Sequence, residues 1–240
     1  MLPLIVGKEP KSVTAEAYRT LRTNLQFRIM DKGIKKIIVT SAEPGEGKSI
    51  TVCNLALSMY QSGKKVLIID CDMRKPSINK YFDLENENGF VNLIMESLDY
   101  KKVIKKHYEN LHVITAGKAP INPAELLNVD YLAPVFKELE ADYDIIFIDT
   151  PPVVSVTDAQ LLASVADGTI MVLSSGESHK KLCQKALQLL SNVNANIIGA
   201  VLNKATEESG AYSSRSRYLY YGQHASSKKT RRMGKNETVL

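Results

Sequence analysis

The nine residues Ser41-Ala42-Glu43-Pro44-Gly45-Glu46-Gly47-Lys48-Ser49 constrain this chain more than any other feature. They stand between a short β-rich run, 35–41 (KKIIVTS), and a helical stretch from about Lys48 to Ser62, stopped by Gly63. In that context Gly45 and Gly47 let the backbone curl so that its N–H groups face an anion. The helix beginning beyond them adds a favourable dipole. Lys48 is placed to reach the β- and γ-phosphates of a nucleotide, and the Ser49 hydroxyl to ligate Mg²⁺. Ala42 departs from the strict pattern, which has glycine there. The alternative, an ordinary Gly-rich turn, does not explain the flanking strand and helix.

Four further runs share the apolar character of the first, namely VLIID (66–70), LHVIT (111–115), DIIFID (144–149) and GTIMVLSS (168–175). A last one, NIIGAVLN, covers 196–203. None alternates, as expected of strands buried on both faces. Helical stretches near 90–106, 123–141, 157–165 and 178–192 separate them. An amphipathic helix over 12–30, with Ala17, Leu21, Leu25 and Phe27 among its apolar positions, precedes them all. Strands alternating with helices predict an α/β fold in three layers, a mostly parallel central sheet flanked by helices.

The length of 240 residues suits one domain over 1–204 with an accessory tail over 205–240. The tail is rich in Ser, Tyr, Lys and Arg and has little apolar surface to offset its ordering entropy, so it reads as flexible. Much of the net charge of +5 gathers there, in residues such as Arg215, Arg217, Lys228 and Lys229. Such a run is a solvated tail or an attraction for an anionic surface, nucleic acid or an acidic partner. Cys53, Cys71 and Cys183 lie far apart and the four histidines form no zinc-like cluster, so structural metal and disulfides are not expected. No apolar run approaches the length a bilayer needs, and the opening MLPLIVGKEPKS lacks a secretory pattern. A cytoplasmic location is the expectation.

Three acids stand at strand ends: Asp70 and Asp72 in VLIIDCDMR, and Asp149 in IIFIDTPP. Ligands of open parallel sheets gather at the carboxyl ends of strands, so all three are expected to converge on the phosphate loop. Mg²⁺ takes one or two carboxylates plus waters and phosphates, which leaves another carboxylate as a base or water-positioner.

In combination these segments resemble the bacterial tyrosine kinases (BY-kinases), of the deviant-Walker branch of P-loop NTPases. Ser41–Ser49 resembles their Walker A motif, Asp70-Cys71-Asp72-Met73-Arg74 their DxDxR motif, and Ile145–Pro151 their Walker B. Arg74-Lys75-Pro76, Asn88-Gly89-Phe90 and Pro120–Leu127 are similar too, and the likeness spans roughly 12–204. The resemblance implies ATP and Mg²⁺ as cofactors. It implies a nucleotide site of Glu43, Pro44, Gly45, Glu46, Gly47, Lys48, Ser49 and Ile50, with Asn203 near the adenine. Lys48, Asp70 and Asp72 would be catalytic, Asp70 first and Asp72 second as base. Ser49, Asp72 and Asp149 would hold the metal.

Glu16, Arg19 and Arg22 resemble the family's ExxRxxR motif, which implies a ring-like homo-oligomer; spacing by three puts them on one side of a helix. Local pairing on the helix surface is the alternative. Tyr212, Tyr218, Tyr220 and Tyr221 resemble the family's tail cluster in type rather than in order, which implies phosphorylation between subunits and other protein substrates; a sticky aromatic tail is the alternative. The separate-chain form of the family works with a membrane activator whose cytosolic segment stimulates the ATP site. Such pairs regulate capsular and extracellular polysaccharide synthesis and export, at the inner face of the plasma membrane. The main rival is a partition or positioning ATPase of the same branch, but those proteins carry a signature lysine where this chain has Glu43. A DNA-binding module is more distant, since no groove-reading motif accompanies the basic tail and no nucleic acid is expected.

Overall fold

The computed structural model describes residues 4–96 and 98–205. Its helices are α1 (Ile5–Lys8), α2 (Val13–Lys32), α3 (Lys48–Tyr60), α4 (Ile78–Phe82), α5 (Phe90–Met95), α6 (Pro123–Leu126), α7 (Val129–Asp142), α8 (Asp158–Ala163) and α9 (Lys180–Asn192). The strands are β1 (Lys36–Ser41), β2 (Val66–Asp70), β3 (Lys105–Tyr108), β4 (Leu111–Ile114), β5 (Ile145–Asp149), β6 (Gly168–Ser174) and β7 (Ile197–Asn203). They form one sheet in the order β3-β4-β2-β5-β1-β6-β7. Among these strands only β3 runs antiparallel to its neighbour.

The central strands are buried along their whole length because each feeds two cores. Along β1, Ile37 and Val39 enter one core with α1 to α4, and Ile38 enters the other with α5 to α9. This is the period-2 geometry of a strand whose faces are both covered. It produces the three layers expected from the sequence. α3 is the most enclosed helix, with nearly every residue from Thr51 to Met59 buried against β1, β2 and β5. Among the described residues no helix is long and apolar enough to cross a membrane.

Several local expectations are corrected. The stretch 90–106 is not one helix: α5 ends at Met95, and Asp99 caps a separate 3-10 turn over Tyr100–Lys102. Lys105–Tyr108 then alternates between half-buried and exposed, a strand's period, and pairs with β4. The expected helix over 123–141 is two, because the Asn128 side chain accepts the Asp130 N–H at 2.9 Å and starts a new helix. In α2 the buried face differs in part from the expected one. Ala15 and Leu25 are buried while Phe27 is 68% exposed. β7 lies at the sheet edge and, unlike the other strands expected from the sequence, is not buried, with Leu202 exposed.

Candidate functional site

Strands β1, β2, β5, β6 and β7 run parallel, so their last residues Ser41, Asp70, Asp149, Ser174 and Asn203 share one rim. β5 lies between β1 and β2, and Asp70 is in register with Asp149. That topology, more than any local preference, brings the acids beside the loop that leaves β1.

The loop itself turns on two glycines at φ 83° and 92°, Gly45 and Gly47. Gly47 is also the N-cap of α3. A Cβ there would lie 1.9 Å from the Asn203 amide nitrogen, so the loop and the end of β7 are in contact. Asn203 donates to the Glu46 carbonyl at 3.0 Å. Ser41 closes the loop's entrance by donating to the Glu43 carbonyl at 2.7 Å. Thr51 bonds back to the Gly47 carbonyl at 2.7 Å and fixes the first turn of α3. Lys48, 7% exposed, opens that helix within the rim.

Ser49 donates to Asp149 Oδ2 at 2.5 Å. The other oxygen, Asp149 Oδ1, is buried and without a hydrogen-bond partner. A carboxylate in that condition is costly. Burial pushes the Asp149 carboxyl up to about 7, against the opposing pull of Lys48 and of the Ser49 hydroxyl. A hydroxyl and a carboxylate with one unpaired oxygen, next to a helix N-terminus and a lysine, fit Mg²⁺ that shares its remaining ligands with phosphates and water. Among the described residues no three His, Cys, Asp or Glu side chains form a ready-made metal cage. Ser49 and Asp149 are therefore the side chains that could hold such an ion, with the charge of Asp72 acting on Asp149.

Asp70 is fully buried. Its Oδ2 accepts the N–H groups of Ser77 and Ile78 at 3.0 Å each, and its Oδ1 accepts that of Asp72 at 3.1 Å. Burial first, then the charge of Asp149, holds it well above the usual carboxylate range. Asp72 keeps 8% exposure and accepts the Lys75 N–H at 3.0 Å. Cys71 between them is fully buried, and burial pushes its thiol up, so it is inert.

The structure thus brings together Glu43, Gly45, Glu46, Gly47, Lys48, Ser49, Asp70, Asp72, Asp149 and Asn203. Glu16, Arg19 and Arg22 stand apart on α2. There Arg19 pairs with Glu16 at 2.8 Å, and Arg22 donates to the Ser58 carbonyl at 2.9 Å. Tyr212, Tyr218, Tyr220 and Tyr221 lie outside the described residues. Two groups at the rim carry no motif and escape sequence reasoning. Asp158, fully buried at the start of α8, binds Arg74 through two contacts of 3.2 Å. The turn from Ser174 to His179 grips the phosphate loop through Glu43 and Glu46. The turn's only advance signal is the pair of acids in the loop it grips, and Asp158 has none.

A family model for the AAA domain matches residues 34–203. The tyrosine-protein kinase YwqD of Bacillus subtilis (strain 168) is 41% identical over 220 residues, 91% of each chain. The putative tyrosine-protein kinase CapB of Staphylococcus aureus is 41% identical over 222 residues, 92% of this chain and 96% of that one. Among solved structures, the kinase domain of the Escherichia coli tyrosine kinase ETK is similar with a TM-score of 0.80 at 31% identity, covering 85% of this chain and 82% of that one. The septum site-determining protein MinD from Pyrococcus horikoshii, complexed with Mg-ADP, reaches a TM-score of 0.62 at 22% identity over 72% of each chain, a likeness of fold alone.

Proposed function

The chain belongs to the bacterial tyrosine-protein kinases of the AAA-domain class, ATP-dependent phosphoryl-transfer enzymes, and from that premise we propose that it phosphorylates, between subunits, the tyrosines of its own tail. Tyr212, Tyr218, Tyr220 and Tyr221 are the acceptors, and other proteins are further substrates. The observation that carries this reading is the meeting of Lys48, Ser49, Asp149 and the Asp70–Asp72 pair at one rim of the sheet.

When bound, Mg²⁺ and ATP supply the transferable phosphoryl group and spread its charge. The chain's part is to hold and orient. Backbone N–H groups from Gly45 to Ser49, with Glu43, Pro44 and Ile50 flanking, form the cradle, and Lys48 neutralises phosphate charge. Ser49 and Asp149 hold the metal side, with Asp72 adjacent, and Asn203 borders the base. A tyrosine hydroxyl has an ordinary pKa near 10, so its proton needs an acceptor during attack. Asp70 has both oxygens engaged by backbone N–H groups. Asp72 is the member with exposed surface, so, in reverse of the order expected from the resemblance, Asp72 meets the hydroxyl directly and Asp70 supports its backbone from behind.

Assembly into a ring through Glu16, Arg19 and Arg22 would place one subunit's tail at its neighbour's site. Each transfer adds about −1.5 to −2 charges near neutral pH. Several phosphotyrosines then repel and loosen the ring. A membrane protein's cytosolic segment acts as activator, recruits the chain to the inner face of the plasma membrane, and links it to polysaccharide synthesis and export.

The test mixes two full-length variants with ATP and Mg²⁺, with and without a candidate activator peptide. One carries Lys48→Met and an intact tail; the other is active but has Phe at all four tail positions. Phosphotyrosine on the Lys48→Met chain is expected. ATP turnover with no phosphotyrosine on any chain would return the reading to a partition or positioning ATPase.

A further inference from the structure

A phosphate-binding loop presents positive potential, yet this one carries two carboxylates, Glu43 and Glu46, within its nine residues. Left free, either would compete with a nucleotide's phosphates for the same N–H groups and Lys48. The structure shows where both go. Glu46 is only 3% exposed. Its Oε2 accepts the Glu43 N–H at 2.9 Å, which staples the loop across three residues. Its Oε1 accepts the hydroxyl of Ser178, in the turn between β6 and α9. That hydroxyl oxygen in turn accepts the Ser174 N–H at 2.7 Å, which aims its proton at Glu46. Glu43 is held by the next residue of the turn, with His179 Nδ1 2.8 Å from Glu43 Oε2.

The contact with His179 lowers the Glu43 carboxyl, and the carboxylate raises the imidazole. The same turn reaches the base side of the site, where the Ser175 N–H donates to the Asn203 carbonyl at 2.8 Å. Asn203 then donates to the Glu46 carbonyl.

We propose that the β6–α9 turn is a strap that keeps the Glu43 and Glu46 carboxylates away from the phosphate site, with Ser178 as the positioning residue that fixes Glu46. This deepens the reading of Ser41–Ser49 as a nucleotide loop and rests on it. Ser178 touches no nucleotide; it acts through Glu46. Loss of its hydroxyl frees a carboxylate beside the bound phosphates, so nucleotide affinity falls while the fold stays intact. Where Glu46 is already neutral there is no charge to restrain, and the same loss has little effect.

The experiment measures affinity for a fluorescent ADP analogue with Mg²⁺ on the full chain, for wild type, Ser178→Ala, Glu46→Gln and the double variant. Thermal unfolding without nucleotide is recorded for each. Ser178→Ala should weaken ADP by about tenfold, the value of one hydrogen bond to a charged acceptor, while the nucleotide-free chain still melts in one cooperative transition at a somewhat lower temperature. Glu46→Gln keeps the backbone N–H of the cradle and sets the reference affinity, and the double variant should bind like Glu46→Gln alone, a non-additive cycle. Ser178→Ala binding ADP like wild type, or losing the same factor in both backgrounds, overturns the strap. Should Ser178→Ala fail to fold, the double variant decides: weakened binding relative to Glu46→Gln overturns the proposal. Lys48→Met separates the two levels. If it binds ADP as tightly as wild type, the nucleotide-loop reading itself falls.

Discussion

Replacing Gly47 by alanine tests the contact between the phosphate loop and the last strand. Gly47 sits at φ 92°, where an L side chain costs about 1–2 kcal/mol. Its new Cβ would lie 1.9 Å from Asn203 Nδ2 and 3.1 Å from Cγ. Asn203 must therefore move and give up its 3.0 Å bond to the Glu46 carbonyl, a further loss of about 1 kcal/mol. Gly47→Ala is expected to lose about 2–3 kcal/mol, and Asn203→Ala alone about 1 kcal/mol. In the double variant the same hydrogen bond is lost only once, so the total stays at about 2–3 kcal/mol, not the additive 3–4. Urea unfolding of the nucleotide-free chain reads all three values, with heat denaturation as a check at about 2–4 °C per kcal/mol. Gly47→Ala within about 0.5 kcal/mol of wild type, or a strictly additive double variant, would refute the geometry.

Asp149 has a folded pKa of about 7 against an ordinary 3.8, so it favours folding below pH 4 and that contribution is lost as pH rises through 7. At pH 8, nucleotide-free Asp149→Asn should therefore be more stable than wild type by about 1–3 kcal/mol, while Mg²⁺ with ADP stabilises the wild type more than the variant in the same melts. Arg74→Met leaves the fully buried Asp158 without its counter-charge. Because the arginine side chain is 39% exposed, the cost should fall at about 2–3 kcal/mol, below the range for a fully buried pair, measured by denaturant midpoint. Asn54→Ala removes the buried acceptor of the Val6 N–H at 3.1 Å. It should cost about 1–2 kcal/mol and speed hydrogen exchange at Val6 before other core amides.

The sheet and its rim were legible in the sequence because buried parallel strands leave an unmistakable record. VLIID and IIFID carry no polar residue until the aspartate that ends each one, and those aspartates lie in register at the rim. What escaped was governed by pairing and by long-range contact. Lys105–Tyr108 carries three polar residues out of four and follows a helical stretch, so its strand character comes from the partner β4 and not from its own composition. β7 reads like its buried neighbours because its apolar content is similar; its place at the edge is a matter of sheet order. Phe27 fits a helical apolar stripe by spacing, yet Ala15 and Leu25 are the buried positions of α2, with Tyr18 half-buried against α3. Asp158 and Ser178 lie 84 and 132 residues from the groups they bind, separations that no local pattern encodes. The acids Asp70 and Asp72 were visible, but not their different surroundings, which depend on backbone N–H groups from Ser77 and Ile78 closing on Asp70.

The most direct test of the central claim is a crystal structure of the full chain with ADP and Mg²⁺. The account predicts the β-phosphate inside the loop from Gly45 to Ser49, and the metal bound to the Ser49 hydroxyl and beside the unpaired Asp149 Oδ1. Nucleotide bound at another edge of the sheet, or a metal remote from Asp149, would contradict it.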